Sequence, residues 1–402
     1  MKAFFARTFA ALRYRDFRVL MLGNGLSNIG SWMQLVAQPW LVLNLSGSPF
    51  WVGVDAFAGH LPTFLLVLFG GVVADRHNRR RIMAISQVVQ LLAALLLAVL
   101  LVLGRVKVWM VILASLITGT AQAFSFPAYQ ALVTTLTPRE HLGNAISLNS
   151  LQFNLTRVIG PMLAGLAMST VGAAWCFGLN AFSFLPLLIA LYRIRSAEAL
   201  ASSSRAGGAP PSRPSLGFLR GHPTALAMLA LVAISTAFCG PVSGFLPVLI
   251  RNELGGDAAQ FSQGVSLFGA GALAGALWAA ARRNPFSLRF AVGAMVTLSL
   301  LVAACAGAPN LPLLFGLLFT SGIFMVAGSA AANTLLQSSF SGVFRGRIAS
   351  FFLLAIRGGL ALGNLLTGFA SERLGVRTAL LADGAIALLL TLWVARAARP
   401  PD

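Results

Sequence analysis

Acidic residues are scarce in this chain: ten in 402, against 29 lysines and arginines, and charged residues of either sign make up only 10%. A soluble globular domain carries about 25% charged residues. The surface of a water-soluble fold of this size cannot be built from so few. Lysine is almost missing, with only Lys2 and Lys107. The three cysteines, Cys176, Cys239 and Cys305, stand singly in apolar runs with no CxxC pair. That excludes a disulfide framework or a thiolate metal site, and they read as small core residues. There is no His/Cys/Asp cluster, no GxSxG and no phosphate-cradling glycine loop. No enzymatic activity, no cofactor and no metal are expected.

The net charge of +19 raises the question of nucleic acid as a partner. Basic and aromatic residues are not interleaved as nucleic-acid binding needs. The arginines sit instead in short loops between apolar spans, where they set topology and touch lipid headgroups. No nucleic-acid partner is expected.

What the chain has in quantity is apolar sequence: 57% hydrophobic residues, in runs long enough to cross a bilayer core. Gly, Pro and charge punctuation divides it into twelve spans, at 18–44, 51–74, 82–103, 107–133, 142–169, 173–194, 223–250, 259–282, 287–307, 311–337, 346–371 and 376–398. The basic N-terminal segment has no convincing small-residue cleavage site, so it reads as leading into an uncleaved first helix. With the N-terminus cytoplasmic, 22 basic residues fall on inside segments and five on outside loops. The positive-inside rule then puts both termini inside. Residues 195–222, rich in Ser, Pro, Gly and Ala, read as a cytoplasmic linker between a bundle at 1–194 and a second at 223–402.

The two halves match at an offset of 203 residues. Gly143 falls on Gly346, Gly160 on Gly363, Gly165 on Gly368, Gly172 on Gly375, and Arg79-Arg80 on Arg282-Arg283. Two six-helix bundles related in this way are the build of a rocking transporter with a midplane site. The fold expected is all-α, integral to the membrane, with twelve helices in two pseudo-symmetric bundles.

The stretch Gly71-Val-Val-Ala-Asp75-Arg76-His77-Asn78-Arg79-Arg80 follows the second span. It resembles the GxxxDRxGRR motif of the major facilitator superfamily, with Asn78 where glycine is usual. Asn tolerates a left-handed turn better than other residues after glycine, so the loop geometry is expected to survive. Gly71 would let the helix pack closely. Asp75 would meet the free N–H groups and positive end of the eleventh helix, near Gly346. The resemblance implies a latch on the inner gate, with Arg76, Arg79 and Arg80 tethering it. Topology alone also accounts for the arginines.

In the fifth span, Arg157-Val-Ile-Gly160-Pro161-Met-Leu-Ala-Gly165 resembles the GPxxGG-like motif of the superfamily's exporters. The resemblance implies that it seals the outer side and favours export. Over residues 16–375 the chain is similar to the branch holding the enterobactin exporter and the macrolide efflux proteins. Trp32-Met-Gln-Leu-Val-Ala-Gln-Pro-Trp-Leu, Leu61-Pro62 and Gly363-Asn-Leu-Leu-Thr-Gly are among the phrases that carry it. The superfamily's fourth-helix arginine is missing, with Ser115 in its place.

These likenesses imply efflux of an amphipathic organic molecule in exchange for protons, by a monomer in a bacterial inner membrane. A lipid flippase or an importer of the same fold is the alternative. Its expected partners are a small-molecule substrate, protons and membrane lipids.

Cleft candidates are the polar and aromatic residues of the spans: Asn28, Gln34 and Gln38 in the first, Gln122 in the fourth, and Asn149, Phe153 and Arg157 in the fifth. Phe238 and Phe245 in the seventh, Gln263 in the eighth, and Asn333 and Gln337 in the tenth complete the set. Each can touch substrate or simply cross-link helices. Arg157 suits an anionic or carbonyl-bearing substrate, or a structural pair. Asp55, His60 and Asp383 are the ionisable candidates for proton coupling. Arg357 and Asp383, on adjacent spans at similar depth, are expected to form an ion pair.

Overall fold

The computed structural model describes residues 9–194, 222–282, 286–340 and 344–397. Twelve long helices run through them: α1 (Arg15–Ser46), α2 (Pro49–Arg76), α3 (Arg79–Val102), α4 (Val108–Thr135), α5 (Leu142–Thr170) and α6 (Ala173–Arg193), then α7 (residues 223–253), α8 (Ala258–Ala281), α9 (Leu288–Ala306), α10 (Leu311–Ser338), α11 (Phe344–Leu374) and α12 (Val376–Ala397). Every limit lies within three residues of the one expected from sequence. Apart from His222, the expected linker falls outside the described residues.

Ten of these helices are long and apolar enough to cross a membrane. The other two are α1 and α5, which carry the amides Asn24, Asn28, Gln34 and Gln38, and Asn149, Gln152 and Asn154 with Arg157. Polar helices inside a bilayer must turn those groups toward protein or water. That is where the site has to be sought.

Tight glycine turns close five of the hairpins. Gly47, Gly104, Gly172, Gly255 and Gly375 all have positive φ, between 62° and 94°. An L side chain is strained there, and glycine is not.

Two compact units emerge, and their division cuts through helices. Unit 1 is Met1–Gln38 with Leu65–Pro211, and unit 2 is Pro39–Phe64 with Ser212–Asp402. The cuts fall at Pro39 of α1 and just beyond Pro62 of α2, interior prolines that each remove one helical hydrogen bond. The α1–α2 hairpin therefore groups with the second half of the sequence.

One internal contact recurs in both units. A Cβ on Gly160 would lie against the Ile29 carbonyl, and one on Gly363 against the Ala237 carbonyl. Gly160 and Gly363 are 203 apart, whereas Ile29 and Ala237 are 208 apart. The larger spacing also relates Pro39 to Pro247 and the turn glycines Gly47 and Gly255. The repeat thus has two offsets, and the change falls where α8 (24 residues) is shorter than α2 (28 residues).

The seventh helix is not a regular one. Its α-helical start, Pro223–Ile234, passes through a π-turn at Ser235–Cys239 and another at Leu249–Glu253. Opposite the first, Gly359 and Gly363 of α11 come against Thr236 and Ala237.

Candidate functional site

In unit 1 the amides of α1 form a hydrogen-bonded relay. Asn180 of α6 donates to Gln34 (2.7 Å), Gln34 donates to Gln38 (3.2 Å), and Gln38 donates to Ser115 of α4 (2.6 Å). Gln34 is buried. These side chains hold α1, α4 and α6 together rather than presenting free amides to a cleft. Tyr129 of α4 likewise donates to Asn149 of α5 (2.5 Å).

Beside this relay lies an aromatic and cationic surface on α5. Phe153, Arg157 and Gly160 recur at helical spacing on one face, and all three meet Trp32 of α1. The Phe153 ring is edge-on to Trp32 at 5.9 Å, the Arg157 guanidinium stands over it at 5.7 Å, and Gly160 makes room for its Cβ. Phe153 keeps an exposed edge, and Asn28 is half-buried on α1. Neighbouring Gln152 is buried with neither amide atom hydrogen-bonded among the described residues. Pro161 and Gly165 are buried in α5, and Gln122 is exposed on α4.

The charged knot after α2 has a definite structure. Asn78 has φ −66°, so the left-handed turn expected there does not form. It caps α3 instead, its side-chain oxygen accepting from the backbone of Arg80 and Arg81 at 3.0 and 3.2 Å. Arg79 donates to Thr135 at the end of α4 (3.0 Å), and Arg80 to the Tyr192 carbonyl at the end of α6 (2.9 Å). The pair therefore ties the C-terminal ends of two helices. Its repeat partner is held differently: Arg282 stands 5.1–5.5 Å from the rings of Trp278, Phe286 and Phe290.

Asp75 is exposed, 3.9 Å from Arg79, and Arg76 is exposed beside it. Gly71 is not a packing glycine here, since a Cβ on it would meet nothing within 4 Å. That part falls to Gly70, against the Ala123 carbonyl of α4. A one-residue shift turns α2 by about 100°, enough to exchange the two glycines' faces. Gly346 lies in the first turn of α11, whose side chains are outside the description.

Unit 2 contains a clasp between the first half of α2 and the last half of α11, which run antiparallel. Glu372 of α11 accepts from the Ser48 hydroxyl (2.7 Å) and the Phe50 N–H (3.4 Å), capping the start of α2. Gly53 meets the backbone of Asn364 and Gly368, and Gly358 meets the Phe64 ring. Trp40 of α1 stacks on Phe261 of α8 at 5.6 Å. Phe245 is fully buried at this clasp, near Gly53. Phe238 is half-buried in the first π-turn.

The expected Arg357–Asp383 pair does not form. Asp383 accepts from Thr367 at 2.7 Å, and Arg357 points an Nη1 at His60 Nδ1, 3.5 Å away. Thr367 and Asp383 each lie eight residues from the Gly375 turn, so they face each other across the hairpin. Arg357 lies ten residues further from Asp383's level, about 15 Å along α11. Asp55 is buried in α2. Gln337 donates to Asn333 on α10 (3.0 Å), and with Thr334 and Ser338 they line a shallow depression. Gln263 is exposed on α8.

A family model described as "Transmembrane secretion effector" matches residues 6–401. This chain belongs to that family, within the major facilitator superfamily. The chain is 26% identical to the multidrug efflux pump Tap of Mycolicibacterium fortuitum over 386 residues, 90% of each chain. It is 28% identical to the enterobactin exporter EntS of Shigella flexneri over 176 residues, 43% of each. The crystal structure of the nucleoside transporter NupG superposes with a TM-score of 0.77 at 13% identity, covering 96% of this chain and all of that one, a likeness of fold. The protein is a multi-pass membrane transporter that binds a small-molecule substrate, not an enzyme.

Several residues of the transporter's site escaped the sequence. Asn180, a lone amide in an apolar span, was a visible signal for the sixth helix joining the relay. Gln152 and the platform role of Trp32 had none, because both depend on how α1 lies on α5.

Proposed function

We propose that this transporter exports an amphipathic small organic molecule across a bacterial cytoplasmic membrane. It does so as a monomer, by alternating access and in exchange for protons, with both termini inside. The efflux pump and the exporter among its relatives support the direction. The 22-to-5 division of basic residues supports the orientation.

The observation that carries the mechanism is the change of partner along α1 and α2, at Pro39 and beside Pro62. A helix bends easily where a proline has removed a hydrogen bond. Residues 39–64 grip α7, α8 and α11, while the rest of both helices is built into unit 1. In this reading the grip is the outer gate, released when the outer mouth opens. Asp75 is the inner-gate residue, and the α5 motif of Gly160, Pro161 and Gly165 seals the outer side. The Trp32–Phe153–Arg157 surface and the amides of α8 and α10 contact the substrate. Asp55, His60 and Asp383 are the candidates for carrying the coupled proton.

The test is transport in sealed vesicles of known orientation, using a panel of drugs and siderophores with and without a pH gradient. Gradient-stimulated efflux is expected. Uptake in the opposite sense would refute export, and a rate indifferent to the gradient would refute proton exchange.

A further inference from the structure

The separation of Arg357 from Asp383 leaves a guanidinium near the middle of α11 with no ion-pair partner shown among the described residues. Asp75–Arg79, Glu140–His141 and Glu253–Arg377 are ion pairs between described residues, and Arg357 belongs to none of them. Among the described residues it meets His60 Nδ1, at 3.5 Å from Nη1. A nitrogen that faces an N–H donor must offer a lone pair, so the imidazole is neutral and adds no counter-charge. The Nε is shut away with no hydrogen-bond partner among the described residues. A buried cation without an anion is costly in protein, more so in a membrane.

The geometry around this charge is built. His60 holds one arm of the guanidinium by Nη1, which leaves the edge formed by Nε and Nη2. That edge carries two parallel N–H donors, the fork that matches a carboxylate. Gly358 and Gly359 follow Arg357 and bring the Phe64 ring and the Thr236 hydroxyl against the α11 backbone. The neighbouring π-turn at Ser235–Cys239 is a departure of the kind found at functional sites. Arg357 as a whole is half-buried rather than sealed within the protein.

We infer that Arg357, steadied by His60, is an anion-recognition site, and that the transported molecule presents a carboxylate or similar oxyanion to it. This rests on the reading of the protein as an exporter of amphipathic molecules, and it names the charge of the cargo. Arg357 supplies the charge and the fork. His60 is a positioning residue that fixes which edge is free.

The test uses the full chain in detergent micelles at pH 8, with 2-naphthoate and its neutral isostere 2-naphthamide as probes, followed by calorimetric titration. The expected result is that wild type binds naphthoate at least tenfold more tightly than naphthamide. Arg357→Gln should bring naphthoate down to the naphthamide level and leave naphthamide binding unchanged. Arg357→Lys, which keeps the charge and loses the fork, should keep part of the preference. Equal binding of the two probes by wild type, no binding of naphthoate, or an undiminished preference in Arg357→Gln would each overturn the inference. If Arg357→Gln does not fold, phenylglyoxal labelling of wild type read by mass spectrometry decides. Naphthoate should protect Arg357, and labelling unaffected by naphthoate overturns the site. Binding in micelles is blind to direction, so uptake in vesicles would remove export and leave this site standing.

Discussion

Gly53→Ala is the sharpest perturbation of the proposed outer gate. A Cβ at Gly53 would stand 2.5 Å from the Asn364 carbonyl oxygen, 2.9 Å from the Gly368 Cα and 3.3 Å from the Phe245 ring. Ordinary contact begins at 3.4 Å, so α2 must draw back from α11 by about 0.9 Å. The obstructing atoms are backbone and cannot rotate away. Overpacking of this kind costs about 1–3 kcal/mol. The cost is felt only while α2 lies against α11, so it moves the gate toward open by a factor of about 5–150. Gly59→Ala on the same helix is the control, because a Cβ there meets nothing within 4 Å. Spin labels at the exposed positions 45 and 373 would report the distance across the clasp, and the three native cysteines are all buried. The long-distance population should rise at least fivefold in Gly53→Ala and stay unchanged in Gly59→Ala. Identical distributions in the two variants would refute the gate.

Glu372→Gln should loosen the same clasp by about 0.5–1 kcal/mol, since it removes the carboxylate that caps α2 through Phe50 N–H; an unaltered label distance in this variant would show that the cap holds nothing. Gly160→Val and Gly363→Val should lower thermal stability alike, because each drives a side chain into a carbonyl of the partner helix. One tolerated and one lethal would break the equivalence of the two contacts. Gln34→Leu takes away the acceptor of the Asn180 amide N–H and the donor to the Gln38 oxygen, and should cost about 1–3 kcal/mol. A melting temperature equal to wild type would mean that the relay carries no stability.

The helices were legible because each apolar run ends in glycine, proline or charge, and these signals need no knowledge of packing. The first π-turn of α7 left no such mark, since it lies against Gly359 and Gly363 on another helix. Arg357 and Asp383 were misaligned because depth was counted from each span's end rather than from the shared turn at Gly375. The amides Gln34 and Gln38 were visible as unusual, but whether they faced a ligand or Asn180 and Ser115 was decided between helices. The linker at 195–222 pointed to a division between halves. That α1 and α2 would themselves be divided was written only in Pro39 and Pro62, which read equally well as ordinary kinks.

The two spacings of the internal repeat bear on how the halves can be compared at all. Between the shared turn glycine and the shared arginine pair, the first copy holds five more residues than the second. Five residues add about 7.5 Å and leave about 140° of rotation beyond a full turn. A substitution carried from one copy to the other by a single shift in numbering therefore lands on the wrong face of either α7 or α8. The duplication has kept its frame of glycines and has uncoupled what its second and eighth helices display. Each was thereby freed to acquire residues, such as His60, that the other could not use.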